Sequence, residues 1–286
     1  MSKKIVITGG LGYIGTELCK IYSGESWRNQ ITVIDNRFAS ERVNQLRNWS
    51  INFVHADIRD SKNVKHFLKE ADIIHHLAGI TDVARTKEES NFEKDKELND
   101  VAEKGTSVVL YESSENCKII FPSTHVIFEG KRDIKKDIEE DCEKFPVLSY
   151  GIGKDKNEEQ IKESKKNYVI LRLASVYGYS TDTMRLNIMP NLFSKISSQN
   201  GTIKLFAGGK QLKCLVPLVD AARCFKFMEE RDDIKFQTFN LSKDKVTVEQ
   251  VAYICKKVNS KVKIVKTEDK IPNSGYALSN KKLLSK

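Results

Sequence analysis

Short apolar runs rich in β-branched residues alternate with longer amphipathic segments through the first half of this chain. Runs of this kind predict strands that are buried on both faces, as in a parallel sheet covered by helices. We predict strands at residues 4–8, 31–34, 52–55, 73–77, 118–121 and 169–173. The amphipathic segments predict helices at residues 13–23, 62–69, 92–114 and 151–165.

Strands that alternate with helices indicate the α/β class, here a Rossmann-type doubly wound parallel sheet. After Gly178 the alternation fades into glycine, proline and short polar stretches. This pattern predicts a smaller C-terminal α/β lobe made of loops and short elements. We therefore divide the chain into residues 1–174 and 175–286, and we expect some interleaving of segments between the two parts.

Composition narrows the range of partners and compartments. A hydrophobic fraction of 40% and a charged fraction of 30% are ordinary for a folded domain. No apolar stretch approaches the roughly 20 residues of a membrane helix, and Lys3-Lys4 leads into the first strand without an apolar signal region. We expect a cytoplasmic protein with no membrane partner.

Charge and cysteine usage exclude two further classes. The net charge of +9 comes from lysines interleaved with acids, without aromatic platforms for base stacking. Such a pattern is typical of a solvated surface, so we expect no nucleic-acid partner, whereas a phosphorylated small molecule fits the charge. The six cysteines lack metal-ligand spacing, which predicts reduced thiols and no metal site.

A glycine-rich turn follows the first predicted strand. Gly9, Gly12 and Gly15 have the spacing that lets backbone N–H groups and a helix N-terminus face a pyrophosphate. Asp35 ends the second strand, where a carboxylate receives the adenosine ribose hydroxyls and repels a 2′-phosphate. This favours NAD over NADP, although Arg37 lies close enough to weaken the preference. Asp57, at the end of the third strand, suits either the adenine edge or a strand-end cap.

Tyr150 and Lys154 lie one helical turn apart, so their side chains share a face. A nearby ammonium, helped by a positively charged nicotinamide, lowers the pKa of a phenol from its ordinary value near 10. The tyrosine can then exchange a proton with a substrate oxygen. Thr124 follows the fifth strand and is placed to hold that oxygen. These residues indicate redox chemistry on an alcohol or a ketone.

With these pieces together, the chain resembles the extended short-chain dehydrogenase/reductase family, in its NAD-dependent epimerase/dehydratase group that acts on nucleotide sugars. The resemblance is carried by residues 8–15, Asp35-Asn36, Asp57-Ile58, His76-Leu77-Ala78, Asn99, Pro122-Ser123-Thr124, Tyr150 with Lys154, Glu158 and residues 171–178. It implies that residues 1–174 bind NAD and that residues 175–286 bind the substrate. It also implies a homodimer formed through the helices at 92–114 and 151–165.

The resemblance assigns roles position by position. It implies a catalytic set of Thr124, Tyr150 and Lys154. The cofactor-binding residues it implies are Gly9, Gly12, Tyr13, Ile14, Asp35, Asn36, Asp57, Ile58, Leu77, Ala78, Ser123, Tyr150 and Lys154. The substrate-binding residues are Thr124, Tyr150, Ser175 and Lys213. Ser175 stands where family members often have asparagine near the substrate phosphate, and Lys213 replaces an arginine but keeps its positive charge.

The residues after Thr124 narrow the reaction. The family's 4,6-dehydratases have an Asp-Glu pair there, and its decarboxylases have a glutamate at the second position, whereas this chain has His125 and Val126. We interpret His125 as a structural residue. Epimerisation at C4 and keto-sugar reduction remain, and Asp35 favours the epimerase because reductases usually use NADPH. A non-catalytic NAD-sensing or interaction protein is the alternative from another class, although such a protein would be expected to lose the tyrosine or the lysine.

Overall fold

The computed structural model describes residues 2–24, 28–81, 89–130, 136–181, 183–269 and 275–286. The strands are β1 Lys4–Thr8, β2 Gln30–Asp35, β3 Asn52–His55, β4 Ile73–His76, β5 Lys118–Thr124, β6 Tyr168–Leu173, β7 Ser175–Tyr177, β8 Thr202–Leu205, β9 Leu212–Pro217, β10 Gln237–Leu241, β11 Asp244–Thr247 and β12 Lys263–Lys266. The helices are α1 Tyr13–Tyr22, α2 Ser40–Asn48, α3 Ser61–Lys69, α4 Phe92–Glu112, α5 Ser149–Glu163, α6 Met189–Ser198, α7 Leu218–Glu230, α8 Val248–Val258 and α9 Lys281–Leu284.

Seven parallel strands form the central sheet, in the order β10-β6-β5-β4-β1-β2-β3. The sequence runs outward in one direction from β1 to β3 and in the other from β4, so the connections diverge between β1 and β4. Such a switch point opens a crevice at the carboxyl ends of the strands, where ligands of doubly wound folds bind. The predicted fold class is confirmed, including all six predicted strands and four predicted helices.

Two differences from the predicted elements have simple causes. Strand β5 continues past Phe121 to Thr124, although Pro122 cannot donate a ladder hydrogen bond. The pairing of β5 with β4 ends at Ile120, so Pro122 lies where that neighbour has already diverged. Helix α2 was not predicted, because only Arg42 and Leu46 of its residues are buried and its apolar periodicity is therefore weak.

A second, smaller unit follows β6. Strands β11, β9 and β7 form one small sheet and β12 and β8 form another. Helices α6 and α8 pack on them around a separate core that contains Phe193, Ile203 and Leu205. Helix α7 returns to pack on α1, and β10 joins the edge of the large sheet beside β6. Residues 218–241 therefore lie on the large sheet, although they follow the predicted division at residue 174.

The faces of α4 and α5 bear on the predicted homodimer. The two helices pack along each other, and Lys156 Nζ of α5 donates to Glu103 Oε1 of α4 at 2.6 Å. Val109 and Ile161 are fully buried against the sheet and leave no apolar surface for a partner. Exposed apolar surface on these helices comes instead from Phe92 and Tyr111 on α4 and, to a smaller extent, from Ile152 on α5. Dimerisation through this face stays a prediction.

Three further properties concern membrane spans, metal ligands and cysteines. None of the helices within the described ranges combines the length and apolar character needed to cross a bilayer. In the same ranges, no three His, Cys, Asp or Glu side chains cluster as metal ligands. All six cysteines are free thiols.

Candidate active site

The turn between β1 and α1 can be built only with glycine at two positions. Gly9 has φ +70°, and a Cβ there would lie 2.7 Å from the backbone nitrogen of Ala78. A Cβ on Gly15 would lie 2.6 Å from the carbonyl oxygen of Gly9. The turn therefore packs directly against the exit of β4, at the switch point of the sheet.

The N-terminus of α1 is open to a ligand. Its N-cap residue, Gly12, offers no side-chain acceptor to the first helical N–H groups. Among the described residues, a Cβ on Gly12 would meet only the Gly9 carbonyl oxygen at 3.0 Å and Nη2 of Arg37 at 3.8 Å. Tyr13 and Ile14 begin the helix here, so their N–H groups face the same opening. The turn fits a dinucleotide pyrophosphate, as the sequence predicts.

Asp35 ends β2 beneath this turn. Its buried carboxylate accepts hydrogen bonds from Leu11 N at 2.9 Å and from Arg37 N at 3.0 Å. The Arg37 side chain extends above it, with Nε 3.6 Å from the same carboxylate. A fixed negative charge therefore lies at the end of β2, partly offset by an exposed guanidinium.

Asp57 has the strand-end role that the sequence offered as one of two alternatives. Its carboxylate accepts from the backbone nitrogen of Arg59 at 2.8 Å and forms an ion pair with that guanidinium at 2.7 Å. The hydrogen bonds from Arg59 are the main reason that the pKa of Asp57 is lowered, and Asn36 donates to the same carboxylate. Ile58 is buried and packs against Gly105 of α4. Contact of this corner with adenine stays a prediction.

The exit of β4 is fixed by hydrogen bonds to β1. Thr8 Oγ1 accepts from Ala78 N at 3.1 Å and bonds Nδ1 of His76 at 2.9 Å. The other ring nitrogen of His76 bonds Thr106 Oγ1 at 3.0 Å, and burial lowers the pKa of this histidine to about 3. Leu77 N donates to the Thr8 carbonyl. Leu77 and Ala78 therefore border the crevice on a rigid edge.

The predicted catalytic residues meet at the carboxyl end of β5. Tyr150 and Thr124 share a side-chain hydrogen bond. Lys154, one turn along α5, donates from Nζ to the Pro122 carbonyl at 2.8 Å, and its ammonium lies 4.3 Å from the centre of the Phe121 ring. Burial lowers the pKa of Lys154 to about 7. The structure therefore brings these three side chains together at one end of β5; their catalytic role stays a prediction.

The electrostatics of Tyr150 differ from the prediction that Lys154 lowers its pKa. Burial raises the pKa of Tyr150 above 10, and the opposing influences are the charge of Arg185 and the hydrogen bond with Thr124. Lys154 is not among the groups that shift the pKa of this phenol; it is itself desolvated, and its ammonium donates to a main-chain carbonyl. The arginine was not predicted, because it lies in a loop without a recognisable motif.

Arg185 spans the mouth of the crevice. Its Nη2 donates to the Thr81 carbonyl at 2.6 Å, and its own carbonyl accepts from Asn191 Nδ2 at 3.0 Å. Asn191 also bonds the hydroxyl of Tyr13, which donates to the Gly178 carbonyl at 2.5 Å. The loop before α6 is thereby joined to the start of α1 and to the segment after β4.

The side chain of Ser123 is not oriented for the predicted contact with the cofactor. Its Oγ donates to Oε1 of Glu158 at 2.5 Å and is buried. Ser123 can therefore have the predicted cofactor-binding role only through its main-chain atoms.

Glu129 fixes the start of the helix that carries Tyr150. Its Oε1 accepts from Val147 N at 3.1 Å and from Leu148 N at 2.8 Å, immediately before α5 begins. Burial raises the pKa of this carboxyl group. No sequence motif pointed to Glu129, because an acid at this distance from a helix has no characteristic spacing.

Two of the four predicted substrate residues, Ser175 and Lys213, interact with His125. The Nε2 atom of His125 bonds Ser175 Oγ at 3.2 Å, and Nδ1 bonds Tyr276 Oη at 3.0 Å. Burial lowers the pKa of His125 to about 3, and the positive charge of Lys213 acts in the same direction. Both ring nitrogens are engaged, in agreement with a structural role for this histidine.

A glycine turn at the switch point of a parallel sheet, with a tyrosine, a threonine and a lysine at the end of β5, defines a dinucleotide-dependent α/β protein of the short-chain dehydrogenase type. The model of the NAD dependent epimerase/dehydratase family matches residues 5–242. The chain belongs to this family, and the predicted cofactor, NAD, is the one on which the family depends.

The curated relatives divide among several activities of the family. The chain is 23% identical to a UDP-N-acetyl-alpha-D-glucosaminuronate decarboxylase of Bacillus cytotoxicus, over 99% of this chain and 89% of the relative. It is 23% identical to the UDP-glucose 4-epimerase of Mycoplasma genitalium, over 83% of this chain and 76% of that relative. A probable low-salt glycan biosynthesis reductase of Haloferax volcanii is 30% identical over 52% of this chain and 49% of its own.

Solved structures share the fold over nearly the whole chain. The UDP-glucose 4-epimerase of Thermotoga maritima, solved with UDP-glucose, superposes with a TM-score of 0.83 at 20% identity, covering 98% of this chain and 91% of its own. The UDP-glucuronic acid 4-epimerase of Bacillus cereus, solved with UDP-glucuronic acid and NAD, gives the same TM-score, identity and coverage.

Proposed function

We propose that this protein is a nucleotide-sugar 4-epimerase that works by transient oxidation of the sugar to a keto intermediate. The observation that carries the proposal is that Tyr150, Thr124 and the buried Lys154 lie together at the carboxyl end of β5, where Thr124 acts on the pKa of the Tyr150 phenol. This places an exchangeable phenolic proton and a second hydroxyl on the same side of the switch-point crevice as the glycine turn.

NAD would be held by the N–H groups of the turn, by Asp35 at the ribose and by Lys154, and its nicotinamide would accept a hydride and return it. Tyr150 and Thr124 would both bind the reacting sugar oxygen, and Tyr150 Oη would take its proton and later give it back. The charge of Arg185 favours the ionised phenol and so assists the first of these transfers. Lys213 in the smaller lobe would face the diphosphate.

Two other reactions of the family require residues that are absent here. The dehydratase acid and base positions hold His125 and Val126. His125 is committed to Ser175 and Tyr276 through both nitrogens, and the valine cannot transfer a proton. The same valine stands in the place of the decarboxylase glutamate, which argues against that activity in spite of the decarboxylase relative.

Keto-sugar reduction is the second candidate, and the similarity to the Haloferax volcanii reductase favours it. The buried carboxylate of Asp35 argues against it, because it opposes the extra phosphate of NADPH. Arg37 reduces this opposition without removing it, since its Nε lies 3.6 Å from the same carboxylate.

A single set of measurements separates these functions. Denaturation of the purified protein should release NAD, which mass spectrometry would identify. Incubation with single UDP-hexoses should give a mixture of C4 epimers without accumulation of NADH. Stoichiometric consumption of NADH or NADPH with a keto sugar would establish the reductase instead. Bound NAD without turnover of any member of a nucleotide-sugar panel would support the non-catalytic NAD-sensing alternative.

A further inference from the structure

The hydrogen bonds around His125 fix where each proton lies. The hydroxyl of Tyr276 donates to the main-chain carbonyl of His125 at 3.0 Å. The same oxygen lies 3.0 Å from Nδ1 of the His125 ring. Because the only proton of this hydroxyl points at the carbonyl, Nδ1 must be the donor of the second bond. The ring therefore carries its proton on Nδ1.

The imidazole is neutral, so its other nitrogen is an acceptor. Burial and the nearby positive charge of Lys213 both disfavour a second proton on this ring. Nε2 consequently offers a lone pair to Ser175 Oγ, 3.2 Å away. The hydroxyl of Ser175 must donate its single proton to that lone pair.

This donation determines what Ser175 can offer to a ligand. Its oxygen keeps lone pairs but no free proton, so toward the pocket it can only accept a hydrogen bond. A phosphate at this position would place oxygen against oxygen without a proton between them, which is unfavourable. Lys213 is a cation close enough for its charge to act on the same histidine.

The position of Ser175 relates it to the sugar. Thr124 and Leu173 are register partners at the ends of β5 and β6. His125 directly follows Thr124, and Ser175 lies two residues after Leu173, at the start of β7. Ser175 is therefore next to the end of the crevice at which Thr124 and Tyr150 meet. It is partly exposed, whereas Thr124 is buried.

We propose that Ser175, oriented by His125 and Tyr276, is a specificity-determining acceptor that selects a sugar with a hydroxyl or an amide N–H at this subsite, and that it does not bind the diphosphate. The inference rests on the proposed nucleotide-sugar binding and names a feature that the sugar must have. His125 is a positioning residue in this arrangement, since it acts on the substrate only through Ser175.

The protonation state can be tested without substrate. Nitrogen NMR of the protein labelled at its histidine rings should show His125 as the neutral tautomer protonated at Nδ1. The signal would be assigned by its loss in His125→Gln. A ring protonated at Nε2, or a ring that is doubly protonated at neutral pH, would overturn the proposal.

Binding measurements test the selectivity. Calorimetry would compare UDP, a UDP-hexose and the analogues of this hexose in which each hydroxyl in turn is replaced by fluorine, which keeps the size but removes the donor. One analogue, other than that at the reacting carbon, should bind about tenfold more weakly to the wild-type protein. Ser175→Ala should bind this analogue and its parent sugar equally and should bind UDP as the wild type does.

The controls separate the inference from the proposed function. Ser194→Ala removes a hydroxyl that donates to the Pro190 carbonyl within α6, and it should keep the wild-type preference among the analogues. If Ser175→Ala weakens UDP as much as the UDP-hexose, Ser175 contacts the diphosphate and the inference is wrong, while the proposed function stands. If the wild type binds UDP but no nucleotide sugar, the proposed function fails and the inference fails with it.

Discussion

The carboxylate of Glu158 receives two hydrogen bonds from the guanidinium of Arg172, at 2.9 and 2.8 Å, and both side chains are almost completely buried. Ser123 binds the same carboxylate, so this pair ties α5 to β5 and β6. Glu158 lies one turn after Lys154 on α5. The ion pair therefore fixes, against the sheet, the helix that presents Tyr150 and Lys154 to the crevice.

We expect Glu158→Gln to lower the free energy of unfolding by about 3–5 kcal/mol, because Arg172 would keep a buried charge without a counterion. Urea denaturation would measure the change. The control is Glu159→Gln, which alters the half-exposed neighbouring residue. The pKa of Glu158 is lowered in the folded protein, so the wild-type contribution is present above the unfolded pKa and is lost as the pH falls below it. Equal stability of the two variants would contradict this role.

Tyr150→Phe should lower kcat by about 10²–10⁴, because the phenol that exchanges the sugar proton is removed while the ring is kept. NAD retention, measured by mass spectrometry, should change little. Tyr111→Phe alters an exposed tyrosine on α4 and should have no effect on either quantity. Turnover that survives in Tyr150→Phe would exclude the acid/base assignment.

Lys154→Met should abolish turnover and yet stabilise the protein at acidic pH. The pKa of Lys154 is about 7 in the folded protein and about 10.4 in the unfolded chain. Between these values the unfolded chain binds more protons, so wild-type stability rises with pH across this window. The variant should be more stable by about 4–5 kcal/mol at pH 6, with the difference disappearing near pH 10.

Thermal or urea unfolding at several pH values would measure this difference. Lys156→Met, on the exposed face of the same helix, should show no comparable pH dependence. A stability difference for Lys154→Met that is constant from pH 6 to 10 would mean that Lys154 is charged throughout the range.

Glu129→Ala should reduce kcat about tenfold with an unchanged dissociation constant for NAD, because the two N–H groups before α5 lose their acceptor and Tyr150 shifts. Glu129→Gln keeps an acceptor oxygen and should restore most of the loss. Glu139→Ala, at an exposed position, serves as the control. A failure of the glutamine variant to restore kcat would argue against positioning through these hydrogen bonds.

Asp35→Asn should shift cofactor preference. The amide oxygen can still accept from Leu11 N, while the negative charge at the ribose is lost. We expect about tenfold tighter binding of NADPH and weaker binding of NADH in fluorescence titrations. Asp232→Asn changes an exposed acid far from the turn and should leave both affinities unchanged. Unaltered NADPH affinity in Asp35→Asn would show that Asp35 does not set the preference.

The sequence was informative where a physical requirement leaves a local pattern. Buried strands need β-branched runs, and the glycine turn needs residues without a Cβ, so β1 and Gly9 could be located directly. Helix α2 left no such pattern because so little of it is buried. The position of Arg185 and the direction of the Ser123 side chain depend on contacts between segments far apart in sequence, which no local spacing reveals.

The path of the chain after β6 limits how the protein can be divided or recombined. It builds part of the smaller unit, returns through α7 and β10 to the large sheet, and then leaves again for β11, α8 and β12. A fragment that stops at residue 174 would lack β10. The edge of β6 that pairs with β10 would then be open along its whole length, as a template for self-association. Exchanging the smaller unit between relatives to alter substrate choice would need crossover points at 174, 217 and 242 and a fourth before α9, because α9 packs on β10 of the large sheet. The segment between 217 and 242 and helix α9 would be kept in the recipient.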